Sequence, residues 1–217
     1  HKAIERGREG CRKYKYVAKL DVRKYFDSVR HQDLKNKLAR LFKDKQLLTI
    51  LDRLIDSYEK TSGRGLPIGN LSSQYFANLY LSDIDHKIKE VLKVPVYVRY
   101  MDDMLLFGND KSELYGQVNV IQRWMDEIGL QLKPVQLLRT EQGVLFLGYR
   151  LYPHKLLLAG RSKRRFRRKL QQADKALLNG DWDERTYLDR VLPLLAFMDK
   201  AYSRQYKQRL SIEGRTA

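Results

Sequence analysis

Two acidic sites lie where runs of strand-forming residues end, and these sites limit the folds that the chain can adopt. Residues 16–20 alternate between apolar and polar positions, which predicts a strand that runs into Asp21. Residues 94–107 predict two apolar strands on either side of Met101, Asp102 and Asp103. Carboxylates beside buried strands are costly unless they are exposed, paired or bound to a metal. The pattern therefore favours a strand and a neighbouring hairpin whose aspartates share a cation.

The rest of the chain alternates between helix and strand signals. Apolar spacing predicts helices over residues 2–13, 32–58 with a break near 43–44, 72–92, 111–128, 162–178, and 184–208 with an interruption at Pro193. Residues 130–138 and 144–158 are rich in strand formers, and glycines and a proline within 61–70 predict a loop. Because the chain has neither a glycine-rich phosphate loop nor a strict βαβ rhythm, the expected fold class is α+β, an antiparallel sheet backed by helices.

The charge of the chain points to a polyanionic partner. Its 43 basic and 26 acidic residues give a formal net charge of +17, and such an excess is typical of nucleic-acid binding. A basic protein that is merely soluble is the alternative. Seven of the nine residues from 161 to 169 are basic, and they are expected to contact nucleic-acid phosphates from a helix unless they form a solvated charged face. The candidate contacts are Arg161, Lys163, Arg164, Arg165, Arg167 and Arg168.

Cysteine and hydropathy patterns exclude several classes of protein. Cys11 is the only cysteine, so a disulfide framework and a cysteine-based zinc cluster are excluded, and a reducing, cytoplasmic compartment is expected. No apolar run approaches the roughly 20 residues that a membrane span needs, and neither a signal peptide nor a membrane partner is expected.

The three aspartates suit phosphoryl-transfer chemistry. Two Mg²⁺ ions about 3.5–4 Å apart can stabilise both the attacking and the leaving oxygen of such a reaction. Magnesium prefers hard oxygen ligands, and Asp21 with the Asp102-Asp103 pair would supply them. Mn²⁺ is a possible substitute. The alternative is that Asp102 and Asp103 form an ordinary hairpin turn, because aspartate is a good turn residue.

Four motifs together resemble those of reverse transcriptases, over about residues 1 to 170. Residues 100–103 (YMDD) resemble the YxDD box, residues 21–27 the first palm motif, residues 65–74 the palm loop and helix that follow, and residues 144–149 the FLGY-type primer grip. The resemblance implies RNA-directed DNA synthesis by a polymerase palm with a remnant of the fingers over 1–158, a helical thumb over 159–210 and a tail over 211–217 that is disordered or derived from a tag.

The resemblance also implies roles for individual residues. Asp21, Asp102 and Asp103 are catalytic, and with Val22 they bind the two metal ions. Phe26 is the steric gate that selects deoxynucleotides, and Tyr25, Ile68 and Gln74 are expected near the incoming dNTP. Template and primer contacts are expected from Gly69, Asn70, Tyr100, Met101, Phe146, Leu147, Gly148 and Tyr149. Capping of the following helix is an equal alternative for Asn70, and core packing is the alternative for Phe26.

The string IGNLSSQ at residues 68–74 is most similar to the reverse transcriptases of diversity-generating retroelements. Most reverse transcriptases carry Gln where Ile68 stands, and in the resembled group this loop is associated with errors opposite template adenines. Loss of a positioned polar contact lowers discrimination between right and wrong pairs. The group also works with a structured template RNA and a small basic accessory protein. A relative of ordinary fidelity, similar to group II intron or retron enzymes, is the alternative.

Two departures from the family pattern bear on activity. Gln136 stands where the family often has a lysine that can protonate pyrophosphate, and Lys133 is a candidate to compensate. Few residues precede Asp21, so most of the fingers are expected to be absent and polymerisation by these 217 residues alone is expected to be weak. Asp27 keeps an RNA-dependent RNA polymerase open as an alternative, and an inactive nucleic-acid-binding module is a third.

Overall fold

A computed structural model describes residues 2–199 and residue 201 of the chain. The described residues form two compact units, a central unit of Tyr14–Arg139 and a terminal unit that combines residues 2–13 with residues 140–199 and 201. The elements up to Arg139 are α1 (Lys2–Lys13), β1 (Tyr16–Asp21), α2 (Tyr25–Ser28), α3 (His31–Leu41), α4 (Lys45–Asp56), α5 (Leu71–Tyr80), α6 (Ser82–Glu90), β2 (Val96–Tyr100), β3 (Asp103–Gly108), α7 (Lys111–Glu127) and β4 (Gln136–Arg139). After a 3-10 helix, Thr140–Gln142, come β5 (Val144–Phe146), β6 (Tyr149–Leu151), β7 (Leu156–Leu158), α8 (Gly160–Leu178) and α9 (Glu184–Asp199).

The central unit is a four-stranded sheet with the order β2-β3-β1-β4, and every neighbouring pair is antiparallel. Side chains alternate between the two faces of a strand. Ala18 and Leu20 of β1 and Met104 and Leu106 of β3 therefore lie on one face, and all four are buried in the same core cluster as side chains of the surrounding helices. This antiparallel sheet backed by helices confirms the predicted α+β fold class.

The terminal unit contains a three-stranded antiparallel sheet, β5-β6-β7, against which α1 packs. Helices α8 and α9 pack against each other, and the Tyr187 hydroxyl donates a hydrogen bond of 2.7 Å to Asp174 across that pair. The Tyr149 hydroxyl donates to the Phe197 carbonyl at 2.6 Å, and the two rings lie 4.6 Å apart. The predicted limits of palm and thumb, near residue 158, stay predictions.

The structure confirms the helix break near residues 43–44 and corrects two other expectations. Asp44 begins α4 by accepting hydrogen bonds from the Gln46 and Leu47 amides at 2.8 and 3.1 Å, which fixes the break. The helix predicted over 72–92 divides at Leu81, where the Ser82 hydroxyl donates a hydrogen bond of 2.7 Å to the Leu79 carbonyl. The strand predicted over 130–138 comprises only β4, because Pro134 has no N–H to give to a strand ladder.

The interruption predicted at Pro193 is wrong. Helix α9 runs from Glu184 to Asp199 through Pro193. A proline removes one helical hydrogen bond, and side chains such as Val191 and Met198, both buried on this helix, hold it in place. Residues 202–208 of the predicted helix and the tail over 211–217 lie outside the described residues. No helix in the described part of the chain is both long enough and apolar enough to cross a membrane.

Candidate active site

The sheet register brings two of the three candidate aspartates face to face. Asp103 begins β3, where it pairs with Asp21 of β1 on one side and with Tyr100 of β2 on the other. Met101 and Asp102 form the two-residue turn between β2 and β3. Met101 has φ +55°, a left-handed conformation that is uncommon for a residue other than glycine. The Arg99 guanidinium donates a hydrogen bond of 3.1 Å to the Met101 carbonyl and so supports this turn.

Two lysines supply positive charge to the paired carboxylates. Lys133 Nζ lies 2.7 Å from Asp21 Oδ1, and Lys19 Nζ lies 3.2 Å from Asp103 Oδ1. Both oxygen atoms are sealed from solvent, and neither has a hydrogen-bond partner apart from its lysine. Each of these two oxygen atoms is thus balanced at short range by one ammonium group.

Burial and mutual repulsion oppose ionisation of the pair that follows Met101. Burial raises the pKa of Asp102, and the nearby Asp21 and Asp103 carboxylates raise it further. Burial also raises the pKa of Asp103, against the effect of Lys19, which lowers it. The Asp21 carboxylate raises the pKa of the Lys133 ammonium. The site therefore favours additional positive charge close to the three carboxylates.

The donor set fits a hard divalent cation. Carboxylate oxygens are the protein ligands that Mg²⁺ prefers, and Asp21 Oδ1 and Asp103 Oδ1, which have no hydrogen-bond partner apart from one lysine each, are chemically suited to it. Among residues 2–199 and 201, no three Asp, Glu, His or Cys side chains converge on one point in the manner of a metal site. Lys19 and Lys133 each hold one carboxylate oxygen of the pair beside an ammonium group.

The fourth candidate ligand, Val22, continues β1 past its last strand residue. Val22 forms an isolated antiparallel bridge with Leu132, through a hydrogen bond from the Lys133 amide to the Asp21 carbonyl and one from the Arg23 amide to the Gln131 carbonyl. The Val22 carbonyl takes no part in that bridge. The same bridge brings Lys133 to Asp21, whereas Gln136 is exposed on β4.

Phe26 and Tyr25 lie in the short helix α2, directly after the Asp21 strand. Tyr25 is buried and its hydroxyl donates to the Ala77 carbonyl in α5. Phe26 is half-buried beside it, with ring centroids 5.8 Å apart. The Phe26 carbonyl accepts a hydrogen bond of 2.8 Å from the Leu66 amide. The candidate gate is therefore tied through its backbone to the loop that carries Ile68.

The loop over residues 61–70 is anchored at its base and open at its tip. The Gly65 amide donates to the Val29 carbonyl at 3.0 Å, and His31 Nε2 lies 2.8 Å from the Gly65 carbonyl. At the tip, Ile68 is 79% exposed. Gly69 has φ +98° and no neighbouring atom where a Cβ would stand, so a ligand can approach its backbone closely.

Helix α5 begins at the end of this loop. Asn70 caps the helix, because its side-chain oxygen accepts hydrogen bonds from the Ser72 amide at 3.2 Å and the Ser72 hydroxyl at 2.9 Å. The capping alternative for Asn70 is thus confirmed. Gln74 is exposed on the first turn of α5, where its amide group is accessible to a ligand.

The candidate primer-grip residues belong to the terminal unit. Phe146 and Tyr149 are buried, and the turn between them places Leu147 at φ +48° and Gly148 at φ +85°. A Cβ on Gly148 would lie 2.9 Å from the Phe197 ring, so only glycine fits there. The basic candidates all lie on α8, and five of them are exposed: Arg161, Arg164, Arg165, Arg167 and Arg168. Lys163 is half-buried on the same helix.

Three functional candidates appear only in the structure. Lys19 contacts Asp103, and Arg99 with its partner Asp85 supports the Met101-Asp102 turn. The sequence did contain a sign of Lys19 and Arg99, since each is a charged residue within an apolar strand, where an unpaired charge is costly. Their partners could not be identified from residue spacing, because the partners depend on strand register and helix packing.

Comparisons with known proteins identify the family of the chain and support its fold. Residues 3–151 match the family model described as "Reverse transcriptase (RNA-dependent DNA polymerase)". A curated relative, the retron Ec73 reverse transcriptase of Escherichia coli, is 28% identical over 130 residues, which cover 56% of this chain and 41% of the relative. Two solved structures of apo telomerase from Candida tropicalis, one of them truncated from the C-terminal domain, superpose with TM-scores of 0.57 and 0.56 at 15% and 14% identity. The truncated structure matches 73% of this chain and 39% of its own chain, and the other structure matches 74% of this chain and 36% of its own.

Proposed function

Because the chain belongs to the reverse transcriptase family, we propose that it carries the catalytic centre of an RNA-directed DNA polymerase. The observation that carries this proposal is the register of Asp21 opposite Asp103, with Asp102 in the adjoining turn. The chain spans 41% of the length of its curated relative, so the activity of the whole protein is part of the proposal.

Nucleotidyl transfer joins the primer 3′ oxygen to the α-phosphate of a dNTP and releases pyrophosphate. Two divalent ions, Mg²⁺ or in its place Mn²⁺, stabilise the charge on the attacking and leaving oxygens when bound. Asp21, Asp102, Asp103 and the Val22 carbonyl would hold these ions. Lys133, whose side chain is 49% exposed beside Asp21, keeps a positive charge at the place where the triphosphate would enter.

The residues around the aspartates divide into nucleotide and template-primer contacts. Phe26 would stack beneath the sugar and exclude a 2′-hydroxyl, with Tyr25 fixing its position from the core. Ile68 and Gln74 would lie near the nascent base pair. The backbone at Gly69 and the side chains of Tyr100 and Met101 would contact template and primer, and the exposures of Ile68, Gly69, Gln74 and Tyr100 support this.

The terminal unit would bind the duplex of RNA template and DNA or RNA primer. The turn from Phe146 through Leu147 and Gly148 to Tyr149 would hold the primer end. The exposed arginines of α8 would contact phosphates as part of a thumb that begins near residue 159, since such contacts give sequence-independent affinity.

Primer extension tests the proposal. An RNA template with a DNA primer is incubated with Mg²⁺ and either dNTPs or rNTPs, using this polypeptide and any longer natural polypeptide that contains it. Extension with dNTPs, lost in Asp21→Asn and Asp102→Asn, is expected. Asp110→Asn is the matched control, because Asp110 caps α7 and the amide preserves that cap. Extension that persists in Asp102→Asn would contradict the assignment, and extension with rNTPs alone would indicate an RNA polymerase.

The finer proposal is error-prone copying opposite template adenines, as part of a diversity-generating retroelement with its template RNA and a small basic accessory protein. Its support is Ile68, whose side chain has no hydrogen-bonding group and is 79% exposed at the loop tip.

Sequencing of cDNA should show more substitutions at template adenines than at other bases, and Ile68→Gln should lower the number of substitutions at adenines. Leu71→Gln, at a residue 81% exposed on the same segment, is the control. An error rate equal at all four bases would favour the retron-like alternative, which the similarity to the retron enzyme supports.

A further inference from the structure

The C-terminal end of α5 gathers side chains from several distant elements. The last four carbonyl groups of a helix have no partner within the helix. In α5 these are the carbonyls of residues 77–80, and each accepts a hydrogen bond from a side chain. Tyr25 donates to Ala77, Arg99 to Asn78, Ser82 and Lys37 to Leu79, and Lys37 to Tyr80.

Arg99 makes the most extensive set of these contacts. Its guanidinium donates to both carboxylate oxygens of Asp85 in α6, at 2.7 and 2.5 Å. It also donates to the Asn78 side chain at 3.1 Å and carbonyl at 3.3 Å, and to the Met101 carbonyl at 3.1 Å. The Tyr97 hydroxyl donates to the same Asp85 carboxylate at 2.7 Å. A planar guanidinium with five donors can serve all of these acceptors at once, which a lysine cannot.

The position of Arg99 in the sheet explains why its side chain approaches the Met101-Asp102 turn from the helix-covered face. Arg99 pairs with Met104, so its side chain lies on the helix-covered face. Asp103, which pairs with Asp21, is the residue before Met104 on β3, so Asp21 and Asp103 lie on the opposite face. Arg99 is thus screened from the proposed reaction, with a side chain only 12% exposed, and still holds the carbonyl directly before Asp102.

We propose that Arg99, fixed by Asp85, is a positioning residue that holds the Met101-Asp102 turn in the conformation in which the three aspartates share divalent ions. The strained backbone at Met101, with φ +55°, needs such a support, because an unfavourable backbone conformation persists only when its surroundings determine it. The inference rests on the proposed metal-binding role of Asp21, Asp102 and Asp103.

The test measures Mn²⁺ binding to the chain by electron paramagnetic resonance, with urea unfolding of each variant measured in parallel. Wild type should bind Mn²⁺ at a site that Asp102→Asn removes. Arg99→Gln should raise the Kd for Mn²⁺ about tenfold or more, as is usual when a residue that orients metal ligands is lost. Arg99→Lys should raise the Kd less, because it keeps the charge beside Asp85 and loses the fork that reaches Met101.

Lys37→Gln is the matched control. Lys37 is also a half-buried cation at the end of α5, paired with a carboxylate at 3.1 Å, but its hydrogen bonds go to Leu79 and Tyr80. Lys37→Gln should lower the free energy of unfolding and leave the Kd for Mn²⁺ within twofold of the wild-type value. If Arg99→Gln does not fold, the Kd of Arg99→Lys is the deciding measurement.

The outcomes separate the two proposals. Wild type without a Mn²⁺ site that depends on Asp102 would overturn the proposed function together with this inference. A folded Arg99→Lys or Arg99→Gln variant that binds Mn²⁺ as wild type does, while Asp102→Asn does not, would overturn the inference alone. An equal rise of the Kd in Lys37→Gln would also overturn it, because the effect would then follow from general loosening of α5.

Discussion

At the scale of single residues, the period of two along a strand explains the charges at the sheet end. Like charges directly opposite each other destabilise a strand pair, by up to about 1 kcal/mol, and Asp21 stands opposite Asp103. Lys19 lies two residues before Asp21, on the same face, and diagonal to Asp103, so its ammonium reaches the second carboxylate. Lys133 offsets the first carboxylate from the neighbouring segment. A stable fold and a site that attracts cations thus arise from the same residues.

Phe26 is the residue through which the sugar selectivity of the proposed polymerase can be changed. Its ring is half-buried beside Tyr25, and its backbone is held by Leu66, so a smaller side chain opens space without releasing the segment. Phe26→Val should raise the incorporation of rNTPs relative to dNTPs by about tenfold or more, since selection by a steric clash is worth a few kcal/mol. Single-nucleotide extension with each substrate measures the ratio.

Leu66→Val is a control for loosening of the same contact, because Leu66 is buried and bonded to the Phe26 carbonyl. It should lower extension with both kinds of nucleotide to a similar degree. An unchanged ratio in Phe26→Val would mean that Phe26 serves packing only.

Cys11 gives a residue-scale test of the terminal unit. The thiol is 1% exposed, and burial raises its pKa to about 12. Because the thiolate is the reactive form, alkylation by iodoacetamide at pH 8 should be slow in the native protein and should accelerate in urea. The raised pKa also means that stability falls above about pH 9, where an unfolded thiol ionises and the folded one does not. Native alkylation as fast as in urea would show that α1 does not bury this residue.

At the scale of elements, the sequence predicted the helices and strands that a local signal defines. Asp44 and Asp110 each precede a helix and cap it with two amide hydrogen bonds, so the starts of α4 and α7 could be found from residue type. The division at Leu81 could not, because it depends on the Ser82 hydroxyl and on Lys37, which binds the Leu79 and Tyr80 carbonyls from another helix.

In the candidate site, too, the features that depend on neighbouring residues were predicted and those that depend on distant residues were not. Apolar alternation and the YMDD turn predicted strands at Asp21 and Asp103, and the structure places these residues in register. Lys133 was a candidate for another role, but its ion pair with Asp21, the ion pair of Lys19 with Asp103, and the link from Arg99 to Asp85 were not predicted. Lys133 reaches Asp21 through the Val22–Leu132 bridge, and Asp85 lies 14 residues before Arg99 on a different element.

The cap at Asp110 provides an element-scale prediction. Its carboxylate accepts hydrogen bonds from the Ser112 and Glu113 amides at 2.7 and 2.9 Å. Asp110→Ala should lower the free energy of unfolding by about 1 kcal/mol, whereas Asp110→Asn should change it by a few tenths, because asparagine caps nearly as well as aspartate. Urea denaturation monitored by circular dichroism measures both. Equal losses in the two variants would indicate that the charge of Asp110, rather than its cap, stabilises α7.

At the scale of the whole molecule, the net charge of +17 is spread over both units, and so part of any affinity for nucleic acid is general. Helix α8 is distinctive because its basic residues are concentrated in two turns and are mostly exposed, while Phe166 and Ala173 bury the other face. A helix with one apolar and one basic face can pack on its neighbour and still present charge to a phosphate backbone.

Salt dependence distinguishes a specific basic face from general charge. Each phosphate contact contributes about 0.9 to the slope of log affinity against log salt concentration for a duplex. Arg164→Gln combined with Arg168→Gln should therefore lower the magnitude of that slope by about 2 for an RNA–DNA duplex, measured by fluorescence anisotropy. The control is Lys43→Gln with Lys45→Gln, which removes the same charge from exposed residues at the junction of α3 and α4. Equal changes of slope in the two double variants would show that net charge, and not α8, determines the binding.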